Sequence, residues 1–446
     1  MGPEWTSRTI ESLCLRVTSG GTPRTGVVEY YEGGTIPWVT TTEVNFSSIW
    51  STEKCITERG MAESSAKLVP ANTVIVAMYG RGTAGRVGYA RVPVTTNQAC
   101  CNLVVDQAQA DSRFVYYALW AAQQRLDALA NGSVQQNLSA AVIKSFKLNV
   151  PPLDEQRAIA HMLGSLDDKV ELTRRMNDTL EATARALFKS WFVDFDPVRA
   201  KSEGRDPGLP PHLADLFPDS FENSELGEIP TGWQVDVLEK ALVELEAGGR
   251  PKGGVSGYTE GVPSIGAESI VGLGIFDYSK TKYVPREFFD AMKRGHLKTR
   301  DVLLYKDGGR PGEYEPHVTM FGDGFPFLPC AINEHVYRLR ANAELGQNFL
   351  FFWLSSEIVM EEMRSKGTGV AIPGLNSTQV KSLTTLIPAP EAARGFHAIV
   401  EPWITRLLAG CNESRTLVTL RDGLLPKLIS GELRVADAER VVEARL

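Results

Sequence analysis

A glycine-rich segment is the first candidate for cofactor chemistry. Gly80 to Gly85 has the G-x-G-x-x-G spacing with which dinucleotide-binding folds hold a pyrophosphate, and Asp106 follows near the place of a ribose-binding acid. Such a site needs a helix to begin directly after the glycines, whereas Arg86 to Pro93 has the composition of a short strand that ends at a proline. The segment is therefore interpreted as a glycine-rich hairpin.

Other patterns for catalysis or metal binding are missing from the sequence. The six cysteines form no C-x-x-C pair and have no histidine at zinc spacing, so we expect reduced, mostly buried thiols. Triphosphate and catalytic zinc motifs do not occur, and Val150 to Leu153 lacks the polar first and aromatic last residues of an amino-methyltransferase motif. His335 could polarise a substrate, but a hydrogen-bonded strand histidine explains it as well. The sequence predicts no catalytic residue, no metal site and no cofactor on this chain.

The second half of the chain repeats part of the first. Residues 137–152 align without gaps with residues 374–389, and the same alignment carries a stripe of apolar residues onto a second one. The steps within each stripe alternate between four and three, which is the period of a coiled-coil seam. The predicted seam residues are Ile159, Leu163, Leu166, Val170, Leu180 and Leu187 in the first copy, and Phe396, Val400, Trp403, Leu407, Leu417 and Leu424 in the second.

Each half of the chain is thus predicted to end in a long helix, over residues 154–193 and 390–430. The second helix is expected to bend or stop near Leu425, because Pro426 removes a helical hydrogen bond. Both stripes are interrupted at the same level by small or polar residues, which favours packing of the two helices on each other in antiparallel orientation. Two separate amphipathic helices, each buried against its own domain, are the alternative.

A module with mixed helix and strand signals precedes each helix. The first module covers residues 1–153 and the second residues 230–389, and in both modules two strand signals are followed by a helical one. The predicted fold class is α+β, with two pseudo-repeated domains separated by two long antiparallel helices packed as a coiled coil and related by a pseudo-two-fold axis. Residues 194–229, rich in Pro, Gly, Asp and Glu, are interpreted as an exposed acidic connector, and residues 431–446 as a C-terminal tail.

Length and charge limit the function classes. A chain of 446 residues that is 43% hydrophobic is long enough for several folded domains. The net charge of −7 does not indicate a polyanion partner, so a nucleic-acid surface would have to be local. The apolar stretches are too short to cross a membrane, and no secretory signal is recognised at the start, so a cytoplasmic location is expected. Two modules held at a fixed distance by antiparallel helices would suit a reader of two DNA tracts about one helical turn, ~34 to 36 Å, apart.

Several segments resemble the specificity subunits of type I restriction–modification enzymes. The likeness covers nearly the whole chain in the expected order, although the second copy has Glu391-Ala-Ala-Arg394 where the first has Asp154-Glu-Gln-Arg157. The segments that carry it are Pro151 to Ala160, Lys189 to Pro197, Leu420 to Arg434, Ile36 to Thr40 and Gly132 to Leu138.

The resemblance implies a non-catalytic subunit that recognises a bipartite, asymmetric sequence in double-stranded DNA. Each module would be a target-recognition domain for one half-site, and the paired helices would set the gap. The implied partners are two modification subunits, which methylate adenine with S-adenosylmethionine, and restriction subunits that translocate DNA with ATP. S-adenosylmethionine, ATP and Mg²⁺ would therefore bind to the partners. A protein-only adaptor with two heads and a helical spacer is the alternative, and a self-contained methyltransferase is a third possibility.

Polar residues in glycine-rich turns are the candidates for reading bases, because Arg suits guanine, Asn or Gln suits adenine, and acids accept from cytosine. Each also has an ordinary explanation, since loop arginines are commonly solvated or bound to phosphate and asparagines often cap turns. The candidates are Arg81, Arg86, Asn97 and Gln98 in the first module and Lys306, Arg310, Glu313, Asn333 and Glu334 in the second.

Three aromatic residues at the end of the first helix are candidates for a partner surface. Trp191, Phe192 and Phe195 cannot all face the helix seam, and buried aromatic rings are typical anchors of interfaces. The hypothesis is that they help to dock a modification subunit. The alternative is that they pack under their own module.

Overall fold

The structure is a computed structural model that describes residues 5–80, 82–131, 137–310, 312–325, 327–367 and 373–445, with only the backbone of Asn131. The candidate Arg81 and most of the segment Gly132 to Leu138 lie outside the described residues. The chain divides into two compact units. The first unit comprises Met1–Lys169 and Leu417–Leu446, and the second unit comprises Val170–Thr416.

Short strands and helices precede the first long helix. In chain order, the elements are β1 Thr6–Thr9, β2 Cys14–Ser19, β3 Ile36–Val39, β4 Ser47–Ile49, β5 Cys55–Ile56, α1 Glu58–Ala62, β6 Val74–Ala77, β7 Val87–Ala90, β8 Thr95–Thr96, β9 Cys100–Val105, α2 Ser112–Ala121, α3 Gln123–Asn131, α4 Ala140–Ser145, β10 Lys147–Val150 and α5 Leu153–Phe192.

The rest of the chain repeats much of this order. Its elements are α6 Asp196–Ser202, α7 Pro211–Ala214, β11 Phe221–Ser224, β12 Gly227–Pro230, β13 Gln234–Val237, β14 Leu242–Ala247, β15 Val262–Ile265, β16 Lys282–Val284, α8 Arg286–Ala291, β17 Val302–Tyr305, β18 Gly309–Arg310, β19 Glu313–Tyr314, β20 Val318–Met320, β21 Ala331–Ile332, β22 Val336–Ala341, α9 Gln347–Leu354, α10 Glu357–Lys366, α11 Ser377–Lys381, β23 Thr384–Ile387, α12 Pro390–Ser430 and α13 Val435–Glu443.

The two modules have the same sheet topology. The main sheet has the order β2-β9-β6-β7-β4 in the first module and β14-β22-β17-β20 in the second, so that each strand has its counterpart and only the edge strand β4 is additional. A small sheet, β5-β3-β8 or β16-β15-β21, and a ribbon, β1-β10 or β13-β23, complete each module. The predicted α+β class with two related modules is therefore confirmed.

Alternating side chains of the central strands bury two faces of the main sheet. In β6, Ile75 and Ala77 pack in a cluster with Val39 of the small sheet, while α2 contacts β6, β7 and β9. In β17, Leu303 packs in a cluster with Ile265 of the small sheet, while Val302 and Leu304 belong to the core that includes α9. The two-residue period of a strand places alternate residues on opposite faces, which explains why these short strands are apolar throughout.

In the first unit, the beginning of α5 packs against the end of α12. Arg421 donates from Nη1 to Asp167 Oδ1 at 2.7 Å, and Arg434, just after α12, donates to Glu155 Oε1 at 2.6 Å. The later residue of one segment thus meets the earlier residue of the other, so the helices run antiparallel within this unit. Its predicted seam residues Ile159, Leu163, Leu166, Leu417 and Leu424 are buried.

In the second unit, the end of α5 packs against the beginning of α12, again in antiparallel orientation. Phe188 and Phe396 place their ring centroids 5.5 Å apart, and Asn177 Nδ2 lies 3.5 Å from Cys411 Sγ. A Cβ on Gly410 would lie 2.6 Å from Asn177 Oδ1, so the glycine lets the Asn177 side chain lie directly against α12. The predicted seam residues of this unit are buried at Phe396, Val400 and Leu407 and half-buried at Val170, Leu180, Leu187 and Trp403.

The structure corrects three details. The predicted exposed connector is part of the second unit, because Phe195, Val198 and Phe217 are buried in its core and α6, α7 and the β11–β12 hairpin lie between residues 196 and 230. Helix α12 does not stop near Leu425 but continues to Ser430, since apolar side chains buried on both sides of the proline hold the helix despite the lost hydrogen bond. The predicted tail contains the helix α13.

Candidate nucleic-acid interface

Three loops meet at one edge of each module. They are the Gly-Gly turn (residues 20–24 or 248–252), the glycine hairpin (78–86 or 306–317) and the Asn turn (97–99 or 333–335), and together they are called the loop edge. The backbone N–H of Met78 donates to Ala99 O at 2.8 Å, and at the equivalent place Lys306 donates to His335 O at 2.9 Å. These bonds join the hairpin to the Asn turn in the same way in both modules.

The Gly-Gly turn lies directly against the same strands. Gly21 N–H donates to Thr96 O at 2.8 Å in the first module, and Gly249 N–H donates to Ile332 O at 3.3 Å in the second. A Cβ on Gly20 would lie 2.1 Å from Thr96 O, and one on Gly248 would lie 1.7 Å from Ile332 O. Only glycine allows so close an approach, so packing explains the first glycine of each pair.

The asparagines of the Asn turns hold the backbone rather than face outward. Asn97 Oδ1 accepts from Ala99 N–H at 3.1 Å, and Asn333 Oδ1 accepts from His335 N–H at 2.9 Å. Both side chains are half-buried. The structure thus gives Asn97 and Asn333 the turn-forming role that was the ordinary explanation for them.

The next residue of each Asn turn has a different partner in the two modules. Gln98 is exposed, and its Oε1 accepts a hydrogen bond from the Thr22 hydroxyl of the Gly-Gly turn. Glu334 is half-buried and forms an ion pair with Arg250, with 2.7 Å between Oε1 and Nε. Thr22 and Arg250 hold the same place in the two Gly-Gly turns, since each directly follows the second glycine.

In the second module a histidine and a further acid lie beside Glu334. His335 lies between two acids, with Nδ1 at 2.5 Å from Asp307 Oδ1 and Nε2 at 3.3 Å from Glu334 Oε1. It is therefore the hydrogen-bonded histidine of the ordinary explanation. The equivalent residues of the first module are Ala99 and Tyr79, which carry no charge at neutral pH.

The glycine hairpins differ in length and in side chains. The loop that joins the paired residues Val76 and Val87 is three residues shorter than the loop that joins Leu304 and Val318. Arg86 donates to Asn45 Oδ1 at 2.9 Å in the first hairpin. In the second hairpin, Arg310 and Glu313 are exposed beside a cleft of about 400 Å³, and Lys306 Nζ donates to Glu334 O at 3.2 Å.

Chemistry at buried thiols is disfavoured. Burial raises the pKa of the Cys100, Cys101 and Cys330 thiols to about 12, so they stay protonated at neutral pH. Among the residues that the structure describes, no group of three or more His, Cys, Asp or Glu side chains could hold a metal ion.

The aromatic residues predicted to dock a partner lie inside the second unit. Trp191 and Phe192 are 1% exposed and Phe195 is 8% exposed. The rings of Phe192 and Phe396 meet edge to face with centroids 5.4 Å apart, and Trp191 contacts Phe217 at 4.9 Å. The docking hypothesis is therefore not supported, and the rings pack in the core of the second unit rather than under the first module, which precedes their helix. Burial of their large apolar area stabilises this core instead.

Four residues of the loop edge were missed by the sequence analysis. Thr22 and Arg250 contact the candidates Gln98 and Glu334, and the cations Arg24 and Lys252 are exposed two residues further along each Gly-Gly turn. A signal for them exists, because Gly-Gly-Thr-Pro-Arg24 and Gly-Gly-Arg-Pro-Lys252 repeat each other. Their offset differs from that of the long-helix repeat, so an alignment of the helices does not bring these two segments together.

Comparison with known proteins shows what the chain is similar to. Residues 3–182 match the type I restriction modification DNA specificity domain. The chain is also similar to the MjaIX specificity subunit of a type I restriction enzyme from Methanocaldococcus jannaschii, with 26% identity over 441 residues that cover 97% of this chain and 94% of that protein. The chain thus contains a match to the type I DNA specificity domain and is similar along nearly its whole length to a type I specificity subunit. The resemblance drawn from the sequence is thus confirmed, and specificity subunits are a family of recognition subunits.

Two further specificity subunits support this assignment at lower coverage or at the level of fold. The HindI specificity subunit from Haemophilus influenzae is 26% identical over 349 residues, 65% of this chain and 70% of that protein. A crystal structure of a type I S subunit from M. genitalium has a TM-score of 0.59 at 20% identity and covers 96% of this chain and 99% of that one. The shared fold is therefore that of specificity subunits. In the described part of this chain, no helix has the length and hydropathy of a membrane-crossing segment.

Proposed function

We propose that this specificity subunit recognises a bipartite, asymmetric sequence in double-stranded DNA, with the loop edge of each module reading one half-site. The observation that carries the proposal is a shared scaffold with different outward groups. The three loops are joined by equivalent backbone hydrogen bonds in both modules, yet Gln98 in the first is Glu334 in the second. Two readers with the same backbone and different polar groups suit two unlike half-sites.

The exposed groups of the loop edges suit base edges in the major groove. A glutamine amide can pair with adenine, an arginine fork with guanine, and a carboxylate can accept from cytosine. Gln98 lies in the first module, and Arg310 and Glu313 are exposed in the second. The exposed cations Arg24 and Lys252 suit contacts to the phosphates that flank each tract.

The proposed partners account for the modest charge of this chain. We propose that two modification subunits bind with it, carry S-adenosylmethionine and methylate adenine, and that restriction subunits supply ATP-driven translocation with Mg²⁺. Since the chain has a net charge of −7, the partners would provide much of the phosphate neutralisation. No cofactor is then needed on this chain, and its place of action would be the cytoplasm.

The gap between the half-sites is assigned to the long helices. Helices α5 and α12 have 40 and 41 residues, which at about 1.5 Å per residue corresponds to ~60 Å each. Successive major-groove sites on one face of DNA are ~34 to 36 Å apart. Helices of this length are sufficient to carry two modules that read such sites.

Mapping of methylated adenines tests the proposal. A host strain that expresses the chain with its modification subunit should gain one bipartite motif that is absent when this gene is deleted. Arg86→Ala is expected to relax one half of the motif, and Arg310→Ala the other half, with each substitution leaving the opposite half unchanged. Arg205→Ala, which removes an exposed arginine paired with Glu203, is the matched control and should leave both halves intact.

Three results would contradict the proposal. Loss of both half-sites from either loop substitution would mean that the modules do not read separately. A chain that gives no sequence-dependent protection of DNA with or without a modification subunit would be a protein adaptor. Binding of S-adenosylmethionine to the isolated chain would instead indicate a self-contained methyltransferase.

A further inference from the structure

We propose that Thr22–Gln98 and Arg250–Glu334 are matched base-reading positions, and that exchanging the two pairs exchanges the preferred base at one position of each half-site. The first pair would read adenine and the second guanine. This inference rests on the proposed function, because it assigns particular residues to the reading that the loop edges perform.

The two pairs occupy the same place in the repeated scaffold. Thr22 follows β2 and Arg250 follows β14, the first strands of the two main sheets. The backbone N–H of Asn97 donates to Val39 O at 2.9 Å, and that of Asn333 donates to Ile265 O at 2.9 Å, so the residues that follow, Gln98 and Glu334, leave equivalent turns. The difference between the modules at this place is therefore one of side chains.

The first pair presents an oriented amide. The Thr22 hydroxyl donates to Gln98 Oε1, which fixes the direction of an amide that is otherwise exposed. An amide oxygen has a second lone pair, and the amide nitrogen has two donors. Gln98 can then accept from the N6 amino group of adenine and donate to N7, which is the bidentate pattern for this base.

The second pair presents an oriented guanidinium. Arg250 Nε lies 2.7 Å from Glu334 Oε1, while the Arg250 side chain is still 59% exposed and that of Glu334 is 27% exposed. Among the described residues Glu334 Oε1 accepts no hydrogen bond, so the contact is one of charge and the N–H donors of the arginine stay available. The terminal nitrogens retain the fork that donates to O6 and N7 of guanine.

Polar neighbours surround Glu334, and other residue types stand at their places in the first module. His335 Nε2 lies 3.3 Å from Glu334 Oε1, the His335 ring is hydrogen-bonded to Asp307, and Lys306 Nζ donates to the Glu334 carbonyl. The residues at the equivalent places are Ala99, Tyr79 and Met78. Asp307 and His335 thus help to hold Glu334, the partner of Arg250, in place.

The test uses the assembled methyltransferase and maps methylated adenines in genomic DNA. The variants are Arg250→Thr with Glu334→Gln, and Thr22→Arg with Gln98→Glu. The first double variant is expected to lose the preference for guanine at one position of one half-site by about 10- to 100-fold, in favour of adenine. The second is expected to make the reverse change in the other half-site, and all other positions should stay as in the wild type.

A conservative variant keeps the test decisive if a double variant does not fold. Arg250→Lys retains the charge but loses the fork, so we expect loss of the guanine preference with unchanged assembly, measured by co-purification with the modification subunit. The inference would be overturned if Arg250→Lys left the motif unchanged and Arg250→Thr only weakened the salt dependence of DNA binding. Those results would identify Arg250 as a phosphate contact. A wild-type enzyme without a motif would instead refute the proposed function.

Discussion

The two units use different side chains at equivalent places to join a module to the long helices. In the first unit, Asp167 accepts from Arg421 at 2.7 Å and from the Tyr117 hydroxyl at 2.5 Å. In the alignment of the two long helices, Asp167 corresponds to Ile404 and Ala184 corresponds to Arg421. When α2 and α9 are aligned at their first caps, Asp111 and Gly346, Tyr117 corresponds to Phe352. Ile404, Ala184 and Phe352 lie together in the core of the second unit.

This comparison shows that a polar network and an apolar cluster can serve one backbone arrangement. All three positions differ between the two units. A single polar group in the apolar version would be buried without its partners, which would cost about 1–3 kcal/mol of stability, or more if the group is charged. The second unit adds aromatic contacts, with Phe188 at 5.2 Å from Phe349 and 5.7 Å from Phe352. The first unit therefore depends on complementary charge at this level and the second on apolar area.

The largest effect is expected from breaking the polar network. Arg421→Ala leaves Asp167 without its cation, and because these side chains are only 12% and 14% exposed, we expect the first unit to lose about 3–5 kcal/mol of stability. Hydrogen exchange of α2 and the end of α12 would measure the loss. The triple variant Asp167→Ile, Arg421→Ala and Tyr117→Phe copies the second unit and should recover most of it. A triple variant as unstable as Arg421→Ala would break the comparison.

Truncation in the apolar version is expected to have a slightly smaller effect. Ile404 is fully buried, and Ile404→Ala removes apolar contacts without leaving a charge, so we expect a loss of about 2–4 kcal/mol in the second unit. Exchange rates in α9 should increase while those in α2 stay unchanged. Ile404→Val is the graded control, for which we expect about 1 kcal/mol. Equal effects of the two substitutions would argue against packing as the cause.

The equivalent helices α2 and α9 also differ in how their first turns are capped, and we expect this difference to involve about 1 kcal/mol of stability. Asp111 accepts from the backbone N–H groups of Arg113 and Phe114, whereas Gly346 begins α9 with φ of 78° and no side-chain cap. We expect Asp111→Ala to destabilise the start of α2 by about 1 kcal/mol and Asp111→Asn to have a smaller effect. Thermal unfolding with hydrogen exchange of α2 measures both. Identical losses for the two variants would exclude capping.

The smallest expected effect is a pH dependence confined to the first unit. Burial acts to raise the pKa of Asp168, but the hydrogen bond and charge of Arg113, with Arg91, hold it below its usual value. The pair therefore stabilises the folded state above about pH 4, and this contribution is lost as the pH falls through the lowered pKa. Because the Asp168 side chain is 45% exposed, we expect at most about 1 kcal/mol.

The variant Arg113→Gln measures this contribution. Its difference in stability from the wild type should be present at pH 7 and shrink toward pH 3. Hydrogen exchange of α9 in the second unit is the internal control, because Arg113 and Asp168 lie in the first unit, and the substitution should leave it unchanged at both pH values. A difference that stays constant between pH 7 and pH 3 would contradict the assignment to Asp168.

The long helices were predictable because their seams repeat over many turns. The predicted ranges 154–193 and 390–430 compare with Leu153–Phe192 and Pro390–Ser430. The central strands were also recognisable, since they are continuous apolar runs. The small sheets were not, because strands such as Cys55–Ile56 are too short to show a period. The connector was misread because prolines and glycines dominate its composition. Phe217 and its neighbours nevertheless anchor this segment in the core of the second unit.

The loop edge was only partly predictable for a different reason. Gln98 and Glu334 were found by residue type, but Thr22 and Arg250 come from turns that lie far earlier in the chain. Nothing local in the sequence shows that these residues meet, because the contact depends on how β2 and β14 lie in their sheets. Trp191 and Phe192 were recognised as significant, but residue type alone does not distinguish an interface from a core.

The contact of Gly410 with Asn177 has a consequence for motion within the second unit. The side chains one turn before and after Gly410 on α12 are Arg406 and Ser414. If α12 slid along α5 by one turn, one of these would have to fit where a single added carbon is already too close to Asn177 Oδ1. The glycine therefore favours the observed alignment of the two helices in this unit, because a shift by one turn would require Asn177 to move aside.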